Sequence, residues 1–260
     1  MNAPSAIVTG AYGAIGKAIA HGMAEKGFRL TLAGRDAKKL ESLAAELIRL
    51  TGNTDITSQR VDLSRKSEII LFAQQWQGPL DVLINNAAAT PPSREETPEG
   101  IEMQFATNVL GYYWMMQYFH PHMVGRGDAR IVNVASYWAG DMDLDDLQFT
   151  RRRYNNDTAY RQTKQANRML TASFAELFAP LNIAVLAVHP GDVNSKLSNN
   201  LGYGGSESPK QGADTPLFCA TDPSLRGVSG KYFEHRLQVN CPFVDDKAAV
   251  RRLHEICSGY

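Results

Sequence analysis

The stretch Ala6-Ile-Val-Thr-Gly-Ala-Tyr-Gly-Ala-Ile-Gly16 decides how this chain folds. Its first four residues are small, aliphatic or β-branched and suit a strand buried on both faces. Gly10, Gly13 and Gly16 then punctuate a turn, and a helix start follows. Strand, glycine-containing turn and helix make the first half of a βαβ unit. Glycine lets the backbone turn tightly and approach a pyrophosphate, and the helix start adds amide donors and a positive dipole end. The spacing is not Gly-x-Gly-x-x-Gly. The stretch still predicts a dinucleotide site at the head of a parallel sheet.

The alternation continues outward. Strand candidates lie at 6–9, 29–33, 56–61, 82–85, 130–134 and 183–189, several of them near-continuous apolar runs. Residues 36–50 form the clearest helix: Leu40, Leu43, Leu47 and Leu50 keep one apolar stripe, Asp36 can cap the start, and Gly52 follows the end. Residues 98–124 and 158–179 read as long helices. This order predicts an α/β fold, a Rossmann-type doubly wound parallel sheet flanked by helices, in a single domain over 1–260. No repeat, low-complexity segment or interdomain linker interrupts it. The softest region, 199–212, is rich in Gly, Ser, Asn and Pro. With the residues from about 192 it reads as a mobile loop over a site.

The chain has 260 residues, 43% of them hydrophobic, and zero formal net charge. That suits one sizeable core and lacks the basic footprint of a nucleic-acid binder. The dense basic run Arg151-Arg-Arg153 reads as a solvated loop. No stretch approaches the roughly 20 apolar residues that cross a bilayer, so no membrane anchor is expected. No basic-plus-apolar leader precedes the first strand. Cys219, Cys241 and Cys257 are odd in number and lack metal-ligand spacing. They read as reduced thiols of a cytoplasmic protein without a metal site.

Two further stretches carry chemistry. The second strand ends Leu32-Ala-Gly-Arg-Asp36. An acid there would bind the ribose 2′-OH of NAD, whereas arginine suits the 2′-phosphate of NADP. Arg35 can grip a phosphate with two hydrogen bonds, Lys38 and Lys39 add charge, and Asp36 suits a helix cap. NADP is the expected cofactor. In Thr158-Ala-Tyr-Arg-Gln-Thr-Lys-Gln-Ala-Asn167, Tyr160 and Lys164 lie four apart on one helix face. A free phenol has a pKa of about 10, and a nearby ammonium is expected to pull it down. The pair can then serve carbonyl reduction or alcohol oxidation.

These motifs together resemble the short-chain dehydrogenase/reductase family. The first turn is similar to its Thr-Gly-x-x-x-Gly-x-Gly pattern: Gly10 and Gly16 match, Ala14 replaces the middle glycine, and Gly13 precedes it. Gly34 stands where NAD-binding members carry their acid. Asp62-Leu63 resembles the adenine-contacting pair, and Asn85-Asn-Ala-Ala88 the Asn-Asn-Ala-Gly segment, with Ala88 for glycine. Phe105-Ala-Thr-Asn108 resembles the segment of the catalytic asparagine, and Ser136 at the end of the fifth strand matches the catalytic serine. His189-Pro-Gly-Asp-Val-Asn-Ser195 resembles the segment that closes over the nicotinamide. The long Ser136-to-Tyr160 interval, Leu144-Asp-Asp-Leu147, Gly212 and Val228-Ser-Gly-Lys-Tyr-Phe233 resemble the retinol-dehydrogenase-like branch, which includes the WW-domain-containing oxidoreductase.

The resemblance implies an oxidoreductase with Asn108, Ser136, Tyr160 and Lys164 as catalytic residues. It implies NADP contacts from Thr9, Gly10, Tyr12, Gly13, Ala14, Ile15, Gly16, Arg35, Asp62, Leu63, Asn86, Ala87, Ala88, Tyr160, Lys164, Pro190, Gly191, Val193 and Ser195. Reduction of a ketone or aldehyde is the expected reaction. Tyr137, Trp138, Met142, Trp114 and Tyr154 suggest an apolar wall for a lipophilic substrate. Alternatives are NAD(P)-dependent alcohol oxidation and a non-catalytic NADP-sensing regulator. A sugar-nucleotide epimerase would need a larger C-terminal part. A homodimer or homotetramer packed through the two long helices is the implied assembly.

Overall fold

Strand β1 (Ser5–Thr9) is buried at every residue and runs down the middle of one sheet. Beside it lie β2 (Arg29–Gly34), β3 (Ile56–Arg60), β4 (Val82–Asn85), β5 (Ala129–Val134), β6 (Ile183–His189), β7 (Lys231–Glu234) and β8 (Leu237–Val239). A computed structural model describes residues 3–260. Its strand order is β3-β2-β1-β4-β5-β6-β7-β8; all neighbours are parallel except the last pair. The six strands expected from sequence are present within a residue or so, and β7 and β8 are additional. The chain passes from β3 at one edge back to β4 beside β1, which opens a crevice at the carboxyl ends of β1 and β4.

The helices are α1 (Ala14–Glu25), α2 (Ala37–Thr51), α3 (Lys66–Gln75), α4 (Gly111–Phe119), α5 (Asn156–Phe178), α6 (Lys196–Asn200), α7 (Pro209–Thr221) and α8 (Lys247–Ser258). Asp36 caps α2 through the Lys39 amide at 3.1 Å, and Gly52 ends it in the left-handed conformation. The long helix expected over 98–124 starts late. Glu96 and Glu102 form an antiparallel bridge, and the buried Glu102 carboxylate accepts the Gln104 and Phe105 amides at 2.9 and 2.7 Å. That cap allows helix only beyond it. The next six residues, Phe105–Leu110, wind as a π-helix before α4. The region 192–212 is not featureless either. Val193 pairs with Glu207, the Ser195–Ser198 capping box starts α6, and α7 begins at Pro209.

One apolar cluster lies between the sheet and α3, α4, α5 and α8; a second lies between the sheet and α1, α2 and α7. Helix α8 packs on α5, and its Val250, Leu253 and Cys257 join the first cluster with Tyr113, Phe174 and Phe178. Among the described residues no helix is long and apolar enough to cross a membrane. Cys219, Cys241 and Cys257 are free and buried.

Candidate active site

The β1–α1 turn is shaped by what a methyl group would strike. Gly10 has φ +62°, and a Cβ there would come within 2.7 Å of the Ala87 backbone. At Gly16 it would lie 2.2 Å from the Gly10 carbonyl oxygen. These two glycines let α1 start against β4. Ala14 simply opens α1, and neither it nor Ala88 needs a left-handed backbone, so both replacements of glycine fit. Thr9 is wholly buried: its hydroxyl donates to the Ile84 carbonyl and accepts the Asn86 amide at 2.9 Å. It clips β1 to β4 beneath the site.

Above this turn opens a cleft of about 830 Å³. Of the residues expected to contact a cofactor, Gly10, Tyr12, Gly13, Ala14, Ile15, Gly16, Arg35, Asp62, Leu63, Asn86, Ala87, Ala88 and Ser195 line it. No side chain caps α1, so its first amides face the cleft with the positive end of the helix. That fits the phosphates of a dinucleotide. At the lip, the Tyr12 ring stands against Gly34; a Cβ there would lie 2.8 Å from the ring. Arg35 is exposed and has no ion pair among the described residues, because Lys39 takes Asp36 at 3.4 Å. Lys39 and Lys196 also line the cleft. Lys196 was not expected: it lies one residue beyond the His189–Ser195 motif, and the fold of the segment after β6 brings it here. Asp62 is partly occupied, accepting the Ser64 amide and hydroxyl at 3.0 and 2.8 Å.

Asn108, Ser136, Tyr160 and Lys164 come together beyond this cleft, where β5 meets α5. Asn108 sits inside the π-helical segment, a distortion frequent at functional sites. Its amide donates to the Ala89 carbonyl at 3.0 Å and accepts the Ala89 amide at 2.8 Å, and Ala89 lines the cleft. Ser136 Oγ accepts the Trp138 amide at 3.0 Å. Lys164 Nζ donates to the Val134 carbonyl at 2.8 Å and lies 5.6 Å from the Tyr160 ring centroid and 5.5 Å from that of Tyr112.

Electrostatics departs from the sequence expectation here. Burial pushes the Tyr160 phenol up to about 12; the Ser136 hydroxyl opposes this, and Asp192 adds to it. Burial alone brings Lys164 down to about 7. Desolvation, not the ammonium, therefore sets the phenol in this structure. At neutral pH the site holds a protonated phenol beside a lysine poised to titrate. His189 is also held neutral, brought down to about 3 chiefly by burial.

Pro190, Gly191 and Val193 lie along the turn after β6. Gly191 has φ +97°, and a Cβ there would overlap the Glu207 carboxylate. Val193 is buried, close to Gly212. The apolar wall is smaller than expected. Trp114 belongs to the core, Met142 packs against it, and the Tyr154 hydroxyl is taken by Gln104 and the Pro91 carbonyl. Tyr137 and Trp138 are exposed, and Tyr203 joins them, its ring 5.6 Å from Trp138. Trp138 Nε1 donates to Asp157 at 2.8 Å, and the Tyr203 hydroxyl donates to the same carboxylate oxygen. The expected insert between Ser136 and Tyr160 is organised by Asp146. Its carboxylate accepts the Thr150, Arg151 and Arg152 amides, and these bonds hold it well below the usual carboxylate range.

The family model described as short chain dehydrogenase matches residues 4–204. A probable oxidoreductase of Streptomyces antibioticus is 34% identical over 250 residues, covering 88% of this chain and 84% of its own. Human retinol dehydrogenase 13 is 32% identical over 268 residues, covering 95% and 81%. Among solved structures, an uncharacterized protein from Mycobacterium paratuberculosis superposes with a TM-score of 0.81 at 26% identity, covering 99% of this chain and 96% of that one. A 3-oxoacyl (acyl-carrier-protein) reductase from Agrobacterium tumefaciens, with NADP bound, gives 0.72 at 25% identity over 89% and 92%. A turn that only glycine can close, a phenol–lysine pair at the end of the fifth strand and these relatives lead to one conclusion: the chain belongs to the short chain dehydrogenase family and is an oxidoreductase of its retinol-dehydrogenase-like branch.

Proposed function

We propose that the chain reduces a lipophilic ketone or aldehyde with NADPH, in the cytoplasm. The observation that carries the reading is the buried Tyr160 phenol 5.6 Å (ring centroid) from Lys164 Nζ, protonated at neutral pH and more acidic than the alcohol that an alkoxide on the substrate would become. NADP-bound reductases among the structural neighbours support the cofactor. So does the lip of the cleft, where the Tyr12 ring fills the room an acidic side chain at 34 would need and Arg35 is free to meet a 2′-phosphate.

When bound, the nicotinamide supplies the hydride. Gly13 and the first amides of α1 would hold the pyrophosphate, and Arg35 with Lys39 the 2′-phosphate. Ser136 Oγ already accepts the Trp138 amide, so its proton is free to be donated to the substrate carbonyl oxygen. Tyr160 gives its proton to the same oxygen as it becomes an alkoxide. Lys164 in its charged form stabilises the phenolate left behind, and Asn108 fixes Ala89 at the cleft wall. Tyr137, Trp138 and Tyr203 would meet the apolar body of the substrate. Alcohol oxidation is the weaker reading, because it needs the phenolate that burial disfavours.

The test is NADPH oxidation over aldehydes, cyclic ketones and aromatic ketones. Tyr160→Phe is expected to lose ~10²–10⁴-fold in turnover and still bind NADPH. Near-wild-type turnover in that variant would sink the mechanism.

A further inference from the structure

On α5 the Tyr160 and Lys164 row continues, one turn further, to Arg168, which is buried. A guanidinium taken out of water needs partners, and those it has are informative. Its Nη2 donates to the carbonyl oxygen of Ser136 and to the Tyr232 hydroxyl, the latter at 2.6 Å. Its Cζ lies 3.6 Å from the Tyr232 ring centroid. Tyr232 donates onward to Glu234 at 2.6 Å, and that carboxylate lies 4.0 Å from Arg168. Ser136 is the second residue beyond β5, and the last ladder bond here runs from the Ala135 amide to Val188. The Ser136 carbonyl has thus left the sheet, and Arg168 meets it.

We infer that Arg168 is a positioning residue for Ser136. The arginine holds the serine's carbonyl from α5, while the Trp138 amide holds its Oγ from the following turn. Lys164 does the same for Val134 two residues earlier, so two cations of one helix fasten the end of β5 under the phenol of that helix. Tyr232 and Glu234 extend the tie to β7. This assignment rests on the proposed carbonyl reduction, in which Ser136 orients the substrate oxygen.

The test compares Arg168→Met, Arg168→Lys and Tyr232→Phe in wild-type and Ser136→Ala backgrounds, with NADPH affinity measured by fluorescence without turnover. Displacing an orienting group by about 1 Å costs on the order of 10²-fold. Arg168→Met is expected to lower kcat by about that factor, with NADPH affinity unchanged. Arg168→Lys should recover part of the loss, and Arg168→Met should cost little more once Ser136 is already alanine. Wild-type kcat in folded Arg168→Met, or an equal loss in both backgrounds, overturns the inference. If Arg168→Met does not fold, Tyr232→Phe keeps the ring, and the same loss confined to the Ser136 background is expected. If the wild type reduces no carbonyl, the proposed function fails by itself. The tie is then read from acrylamide quenching of Trp138, with Trp138→Phe as the blank. Quenching should rise in Arg168→Met, and unchanged quenching rejects the tie.

Discussion

The two halves of this site are held by different means. The cofactor half, at β1, α1 and β4, is shaped by missing side chains: Gly10 and Gly16 let backbone touch backbone, and uncapped amides face the cleft. The proposed catalytic half, at β5 and α5, is shaped by large side chains that reach backbone carbonyls, Lys164 to Val134 and Arg168 to Ser136. The first half tolerates no added atom at Gly10 or Gly16. The second depends in part on a buried lysine whose charge changes with pH.

That contrast can be broken at several points. The largest effect belongs to Gly16→Ala. Its Cβ would sit 2.2 Å from the Gly10 carbonyl oxygen, so the turn must open. NADPH affinity, measured by fluorescence titration, should fall by about 10²-fold or more; intact binding would mean the turn is softer than its contacts imply. Next comes Arg35→Ala. Loss of charge-assisted hydrogen bonds worth ~1.5–3 kcal/mol should weaken NADPH by roughly 10- to 100-fold and leave NADH unchanged, and parallel loss for both cofactors would remove Arg35 from the 2′-phosphate.

A smaller effect sharpens the catalytic half. Lys164 is charged below its pKa of about 7 and neutral above it, while Tyr160 keeps its proton until about 12. Reduction should therefore decline as pH rises through 7, roughly tenfold per unit at the steepest. A rate flat to pH 9 would show that the ammonium is not needed. Smallest of all is Gly13→Ala, whose Cβ meets only the Gly10 carbonyl oxygen at 3.3 Å. NADPH affinity within about threefold of wild type is expected, since a few tenths of an ångström relieve the contact.

The same contrast explains what the sequence made legible. Glycine sterics are local, so Gly10, Gly16 and the strand before them could be read directly, and the alternation of elements led to the sheet. Asn108, Ser136, Tyr160 and Lys164, the four proposed as catalytic, were picked out through family spacing. Arg168 was not, because an arginine beside Asn167 and Met169 looks like any helical residue until the fold turns it inward. The phenol's direction was missed for a related reason: the i, i+4 spacing shows that Lys164 is near, but only burial decides which influence wins. Helix 98–124 was drawn too early because the Glu102 cap depends on a bridge to Glu96. Trp114 and Tyr154 looked like substrate wall because exposure is a property of packing, not of residue type.

Helix α8 has a consequence for self-association. By laying Val250, Leu253 and Cys257 against Tyr113, Phe174 and Phe178, the chain itself covers apolar surface of α4 and α5, the helix face through which an assembly was expected. A tethered segment competes at an effective concentration in the millimolar range. A twin chain arriving on that face must first dislodge a resident that never diffuses away.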